Sequence, residues 1–271
     1  MITKAIIPVA GWGTRRLPIT KTIEKCMLPI GNRPLVDYVV QDCLVAGITE
    51  LIFIVGEDST QLQDYYRSNI KLKDYLERSG RAEMLPLIAP LKGVALHFVT
   101  QPSHGKHGTA AAIGLAAEYL NEGESAVVLG GDDFIYNPDG SSEVQRLIDA
   151  TPAGECGLIA VEVSGEDVSR YGVIVKNDED YYERMVEKPA PEDAPSNLIN
   201  PSKYILTKEV CELARTIEPD AKSGEYYIID AINQYVQRGG KMKVHMSVGQ
   251  YLDGGSVKGW LHANRVVLGD T

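Results

Sequence analysis

Two glycines and four cations crowd into the stretch Ala10-Gly11-Trp12-Gly13-Thr14-Arg15-Arg16-Leu17-Pro18 and its continuation to Lys25. Glycine lets backbone N–H groups approach phosphate oxygens closely and accepts φ > 0 where a loop must curl. Arg15, Arg16, Lys21 and Lys25 place four positive charges in eleven residues, opposed only by Glu24. Guanidinium and ammonium groups at such a loop neutralise charge that grows on phosphate oxygens during transfer. The whole chain carries a formal net charge of −10, so a basic cluster beside a glycine loop reads as a phosphate cradle rather than a solvated face. It is not the dinucleotide fingerprint, because Arg16 occupies the third glycine position, and no G-x-x-x-x-G-K-[ST] loop is present. For the two glycines alone, a tight strand-helix turn is the competing explanation.

A second set of groups is acidic. The run Val127-Val128-Leu129-Gly130-Gly131-Asp132-Asp133 ends an apolar strand in two carboxylates. That places them at the carboxyl edge of a parallel sheet, where open α/β folds bind ligands, although paired acids also serve turns and helix caps. Asp253, in Tyr251-Leu252-Asp253-Gly254-Gly255, reads by itself as a β-turn residue. Gln101 closes another predicted strand, and its amide can meet a pyrimidine edge with both a donor and an acceptor. After it, Gly105-Lys106-His107-Gly108-Thr109-Ala110 opens a helix. His104 and His107 have no carboxylate or cysteine beside them and read as ordinary loop histidines.

These groups need a scaffold, and the hydrophobic pattern predicts one. Strands are expected at Ala5–Val9, Leu51–Val55, Ala95–Gln101 and Ala126–Leu129, with helices over Pro34–Ala46, Lys71–Leu85 and Gly108–Leu120. Two-sided apolar strands alternating with helices predict an α/β fold: a Rossmann-like, mostly parallel sheet with helices on both faces. The second half predicts strands at Gly157–Val163, Gly172–Val175, Tyr182–Glu187, Tyr204–Leu206 and Lys243–Met246. Helices follow at Lys208–Glu218, Tyr226–Arg238 and Ser256–Leu268, and the Pro- and acid-rich Ala190–Ser196 is a surface loop. The whole 1–271 is expected to be a single fused domain. Its nucleotide-binding half runs to about residue 135, and a smaller α+β half with C-terminal helices covers about 136–271. With 271 residues, 44% of them hydrophobic, the chain can bury a sizeable core. No run approaches the ~20 apolar residues of a membrane span, and the acidic balance argues against a nucleic-acid partner. Four scattered cysteines without a C-x-x-C pair, and an N-terminal segment too short for a secretory signal, predict a cytoplasmic protein with reduced thiols.

The run G-x-G-T-R-x-L-P-x-T-K, followed by Lys25 and Met27-Leu28-Pro29-Ile30, closely resembles the signature of the sugar nucleotidyltransferases. The opening Ile7-Pro8-Val9-Ala10-Gly11 and the charged segment Lys71–Leu85 look like the UTP–glucose-1-phosphate uridylyltransferase branch. The resemblance implies transfer of a nucleotidyl group from UTP to a hexose 1-phosphate such as glucose 1-phosphate, with release of pyrophosphate and dependence on Mg²⁺. It implies Ala10, Gly11, Gly13, Thr14, Arg15, Gln101 and Gly108 around the nucleotide, and Asp133, Gly172, Glu187 and Lys188 around the sugar phosphate. Asp132 and Asp253 match the family's metal-binding aspartates, and Arg15, Lys25, Asp132 and Lys188 its catalytic groups. Members often form dimers or tetramers, which keeps a homo-oligomer open, although the C-terminus is shorter than in many uridylyltransferases and the sequence does not set the oligomeric state.

The chain departs from the pattern at Glu24, where proline is common, at Ser202-Lys203-Tyr204, where G-R-Y is usual, and at Tyr227 and Val257. These departures gather on the acceptor side. They keep open a thymidylyltransferase using dTTP, and a non-catalytic nucleotide-sugar-binding relative.

Overall fold

The computed structural model describes residues 1–163, 168–169, 171–187 and 189–269. In chain order the first half comprises β1 (Lys4–Pro8), the two-residue strands β2 (Pro29–Ile30) and β3 (Arg33–Pro34), α1 (Leu35–Val45) and β4 (Glu50–Gly56). It continues with α2 (Gln61–Tyr66), α3 (Ile70–Arg78), β5 (Ala95–Gln101), α4 (Thr109–Leu115), β6 (Ser125–Leu129) and β7 (Asp133–Tyr136). The second half begins with α5 (Glu143–Ala150), β8 (Cys156–Glu162), β9 (Gly172–Lys176), β10 (Tyr182–Glu187) and β11 (Leu198–Ile199). Then come β12 (Lys203–Thr207), α6 (Lys208–Leu213), α7 (Ile228–Gln237), β13 (Met242–Met246), β14 (Gln250–Asp253) and α8 (Val257–Leu268).

One ten-stranded sheet runs through both halves in the order β10-β9-β11-β8-β12-β6-β1-β4-β5, with β13 beside β8. β1, β4, β5 and β6 are mutually parallel, and the antiparallel β12 joins them to β8. Traced through these pairings, β1, β4, β5, β6, β8, β9 and β13 point one way, and β10, β11 and β12 the other. Successive strand residues face opposite sides, and both sides are covered. Ile6, Ile52, Ile54 and Val128 pack with α4, α6 and α7, while Ile7, Leu51, Phe53, Val127 and Leu129 pack with α1 and α5. This is the doubly covered sheet that the two-sided apolar strands predict.

Several helices stop earlier than their apolar periodicity suggests. α3 ends at Arg78, and Gly80 turns the chain at φ 71° before a 3-10 stretch, Ala82–Ile88, that contains Pro86. α4 passes into the 3-10 turn Ala116–Tyr119, and α6 closes at Leu213 although Ala214 and Ile217 beyond it are buried. Periodicity records which residues are buried, not which carbonyl each N–H reaches. The short elements α2, β7, α5, β11 and β14 carry too few residues for a period and were not foreseen.

Two of them hold the fold at the place that matters. β14 pairs antiparallel with β7, in the register Asp253↔Asp133, Leu252↔Phe134 and Tyr251↔Ile135. The turn entering β14 is held by Glu143, the first residue of α5, whose side chain is wholly buried. Its Oε1 accepts bonds from Val248 N at 3.1 Å and Gly249 N at 2.8 Å and pairs with Arg146 at 2.6 Å. Burial pushes this carboxyl up, but His245, the Gly249 amide and Arg146 outweigh burial and hold it below the ordinary glutamate value. Its stabilising bonds are therefore complete above the unfolded glutamate pKa of about 4.3 and fade as pH falls below it. Glu143→Gln should lower the unfolding free energy by about 2 kcal/mol at neutral pH, with the deficit shrinking in acid. Urea titrations at neutral pH and well below the glutamate pKa measure both, and an acid-independent deficit would show that the charge contributes nothing.

Candidate functional site

The predicted phosphate loop leaves β1 at Val9, whose N–H bonds Ile54 O at 2.8 Å, and coils through 3-10 turns at Thr14–Arg16, Ile19–Lys21 and Lys25–Met27. Gly13 has φ 64°, and a Cβ placed there would lie 3.0 Å from Thr20 Cγ2 and 3.1 Å from Lys25 Cβ. Glycine is thus needed twice, for the left-handed backbone and for the space that lets the Lys25 segment fold onto the loop. Gly11, Thr14 and Arg15 are exposed and Ala10 half-buried. Arg16 goes the other way. It is 3% exposed, lies over the Trp260 ring at 5.3 Å, and donates to Gly254 O at 3.3 Å and to Ser256 O. Counted among the cradle's cations in the sequence, Arg16 instead fastens the loop to the turn that follows Asp253.

The acids arrive from β6 and β14. At Gly131 a Cβ would collide with Val9 Cγ1, so glycine lets the end of β6 press against β1 where Asp132 emerges. Gly254 is equally constrained, since a Cβ there would collide with Leu35 Cδ1 and sit 2.6 Å from Asp132 O. Asp132 Oδ2 forms an ion pair with Lys25 Nζ. Burial raises the Asp132 carboxyl, but Lys25, Lys203 and Arg15 more than offset it and keep the group ionised. Asp133 differs. Its Oδ1 is 2.5 Å from Lys203 Nζ, itself 3% exposed, and its Oδ2 accepts from Tyr251 Oη at 3.0 Å. Burial, opposed by Lys203 and assisted by Asp132, pushes the Asp133 carboxyl up to about 6. Asp253 is oriented by Gly255 N at 2.7 Å on Oδ1 and Ser256 Oγ at 3.2 Å on Oδ2. Ser256 also caps α8 by accepting from Gly259 N at 3.0 Å.

Arg15, Asp132, Asp133, Gly172 and Asp253 line one cavity of about 670 Å³ at the carboxyl edge of the parallel strands. Its other wall holds Tyr171, Ser202, Tyr204 and Tyr227. Ser202 has φ 55°, an unusual backbone for a residue other than glycine. Gln101 and Gly108 are not among the residues that line this cavity, although Thr109, next to Gly108, is. Gln101 pairs in register with Gly56, and a Cβ on Gly56 would lie 3.8 Å from Ala10 O. Gln101 also lines a separate, smaller hollow with Lys106 and Arg215, and its amide donates to Lys106 O at 3.2 Å. Gly108 packs against the backbone of Tyr226, where a Cβ would lie 2.5 Å from the carbonyl oxygen, and φ is 109°. Gly172 opens β9 opposite Glu187, the last residue of β10, while Lys188 lies outside the described residues. The sequence reading missed the partners of Asp133. Lys203 stood out only as a departure from G-R-Y, and Tyr251 only as a neighbour of Asp253.

The space between the two metal-type acids can be probed through Gly255. A methyl there would lie 2.9 Å from Asp253 Oδ1, 3.6 Å from Asp132 Oδ2 and 3.8 Å from Lys25 Nζ. Two carboxylates and an ammonium therefore surround one small volume that glycine keeps free, a setting that fits a hard divalent cation. Among the described residues no group of three or more His, Cys, Asp or Glu is placed to hold a metal. Two carboxylates with water and phosphate oxygens are the ligand set that Mg²⁺ favours. Cys26, next to Lys25, is no nucleophile, since burial and then Glu24 push its thiol up to about 12. All four cysteines are free and buried, and no helix among the described residues is long and apolar enough to cross a membrane.

A cation-bearing loop facing two strand-end acids across a parallel sheet is an arrangement for handling nucleotide phosphates, and the chain belongs to the Nucleotidyl transferase family, which it matches over residues 4–269. It is 34% identical over 268 residues to a UTP–glucose-1-phosphate uridylyltransferase of Pseudomonas aeruginosa, covering 97% of this chain and 95% of that protein. It is 38% identical over 240 residues to UTP–glucose-1-phosphate uridylyltransferase 2 of Streptococcus pyogenes, covering 86% and 79%. A UDP-glucose pyrophosphorylase solved with UDP-glucose superposes with a TM-score of 0.84 at 31% identity over the full length of both chains. A UTP-bound UGPase from Acinetobacter baumannii gives 0.86 at 27% identity, over 98% of this chain and 93% of that one.

Gly255→Ala tests the shared volume. The methyl should displace the Asp253 carboxylate, raise the divalent-metal concentration needed for half-maximal turnover and lower kcat, with little change in Tm. Unchanged metal dependence in a folded variant would separate Asp253 from the metal.

Proposed function

We propose that the protein joins UTP to glucose 1-phosphate, forming UDP-glucose and pyrophosphate. The observation that carries this reading is the single cavity into which Arg15, Asp132 and Asp253 all open, with Lys25 paired to one of its acids. The resemblance to uridylyltransferases along nearly the whole chain supports the choice of substrates.

An oxygen of the sugar phosphate attacks the α-phosphorus of the nucleotide. The new P–O bond forms as the bond to the β-phosphate oxygen breaks, and pyrophosphate leaves with the electron pair. No protein nucleophile is needed, so alignment and charge neutralisation supply the catalysis. Asp132 and Asp253 would hold Mg²⁺, which would supply Lewis-acid neutralisation of phosphate oxygens. Lys25 and Arg15 bind the triphosphate and balance charge that builds towards pyrophosphate. Ala10, Gly11, Gly13 and Thr14 present backbone to the nucleotide, and Gln101 and Gly108 flank the base. On the acceptor side, Gly172 allows backbone to lie against the hexose, Glu187 accepts from sugar hydroxyls, and Lys188 pairs with the sugar phosphate. Asp133, with both oxygens engaged by Lys203 and Tyr251, serves that side as a fixed wall.

Lys25→Ala and Asp132→Asn should each lower kcat by about 10²-fold or more while leaving Tm close to that of the parent. Near-normal turnover in either would remove that residue from the mechanism. A pyrophosphate-release assay with UTP and dTTP competing, each against several hexose 1-phosphates, should show preference for UTP and glucose 1-phosphate. Preference for dTTP would reassign the chain to the thymidylyltransferases.

A further inference from the structure

We infer that Glu24 is a positioning residue for Lys25, welding the segment that carries the lysine to the end of the central strand β4. The inference rests on the catalytic reading of Lys25 given above. Glu24 lies outside the cavity and faces the chain as it leaves β4 and enters α2. Its Oε1 accepts from Thr60 N and Gln61 N, each at 2.9 Å, and its Oε2 accepts from Ser59 Oγ at 2.7 Å. The bonding is reciprocal. Glu24 N donates to Gln61 Oε1 at 3.0 Å, and Gln61 Nε2 donates to Thr22 O at 2.6 Å. Five bonds therefore tie residues 22–24 to residues 59–61.

The anchor is a central strand of the sheet, and the segment it holds is not part of the sheet. β4 lies between β1 and β5 in the sheet, with Leu51 to Val55 at most 1% exposed. The loop 10–28, in contrast, is built of isolated 3-10 turns, whose three-residue hydrogen bonding is weak, and is otherwise fastened by side chains, Arg16 on Gly254 O and the buried Cys26 and Leu28. Unlike β1, β4 and β6, that loop has no ladder of its own through Lys25. Because the α2 amides belong to the turn that ends β4, Glu24 transfers the position of the sheet to the backbone one residue before Lys25. Thr60, the residue in the cap position of α2, makes no side-chain cap of its own, so Glu24 fills that place from another segment. The main chain at Glu24 is held at φ −55° and ψ 136°, and Met27 N closes onto Glu24 O at 2.8 Å to start the turn that bears Lys25. Lys25 then meets Gly13 through its Cβ and Asp132 through its Nζ. A side chain aimed this way from a loosened backbone would still find Asp132, but not with one fixed approach.

Glu24→Ala should lower kcat on the order of 10-fold or more, because a misplacement near 1 Å can cost about 10²-fold, with KM for glucose 1-phosphate little changed and the protein folded by Tm. Glu24→Gln keeps a side-chain oxygen for the Thr60 and Gln61 amides and the backbone N–H for Gln61 Oε1, and should recover part of that loss. In a Lys25→Ala background, Glu24→Ala should cost little further, since residues that act through one another are not additive. Wild-type kcat in folded Glu24→Ala overturns the inference. So does a glutamine variant no better than alanine, or an undiminished loss in the Lys25→Ala background. Normal turnover by Lys25→Ala alone would overturn the catalytic reading of that lysine, a result distinct from an impaired Lys25→Ala beside a normal Glu24→Ala, which overturns the placement only.

Discussion

The register between β7 and β14 fixes where the chemistry can happen. Asp253 stands opposite Asp133 in a four-residue ladder, and Asp132 is the residue before it, so two acids 121 positions apart become neighbours through backbone hydrogen bonds. A ladder permits no gradual adjustment, because a slip of one residue would turn every side chain to the other face. The surroundings hold that register from several sides. Glu143 fixes the turn into β14, Gly254 leaves no room between the strand end and Leu35, and the Ser256 cap of α8 holds the carboxylate of Asp253. α8 is itself tied to the loop, with Trp260 Nε1 donating to Pro29 O at 2.7 Å and Asn264 Oδ1 accepting from Gly31 N at 2.8 Å.

Once three carboxylates are gathered, each needs compensation, since a buried charge without a partner is costly. The solutions differ by position. Asp133, its side chain 13% exposed, is closed off inside the protein by Lys203 and Tyr251. Asp132, 38% exposed, lines the cavity and is balanced by Lys25. Asp253 takes an amide and a hydroxyl and feels the charge of the buried Arg16. The innermost acid is thereby structural, and the two outer ones are those to which the proposed reaction assigns a cation.

Much of this was legible in the residues themselves. Strands with four or more consecutive apolar residues, such as β4 and β6, and long amphipathic helices, such as α1 and α8, fall within a residue or two of their expected ends, because their burial patterns are long enough to declare a period. The meeting of Asp132 with Asp253 was expected from a family pattern, since nothing local to Asp253 announces it. β14 is four residues long and its partner lies in the other half of the chain, so its pairing is a property of topology. Arg16 and Arg15 show the same limit at the scale of one peptide bond. Two adjacent arginines look alike in a sequence, yet one lines the cavity and the other is buried against carbonyls.

That division within one loop has a consequence for how the site works. In a 3-10 turn neighbouring side chains diverge by about 120°, so Arg15 and Arg16 cannot serve the same ligand. Arg16 couples the loop to the Asp253 turn, and Lys25 couples it to Asp132, which makes the cation loop a strap across both acids. Polyphosphate arriving at the loop therefore meets groups whose spacing is already set by the β7–β14 ladder. In the proposed reaction Lys25 would exchange Asp132 for a phosphate oxygen while Asp132 would exchange Lys25 for a cation, so neither charge would be stripped of a partner. Donors and charges already in place need no costly reorganisation when the phosphorus is attacked. On that proposal the ion pair between Lys25 and Asp132 keeps together the two groups that a metal-bound nucleotide would require.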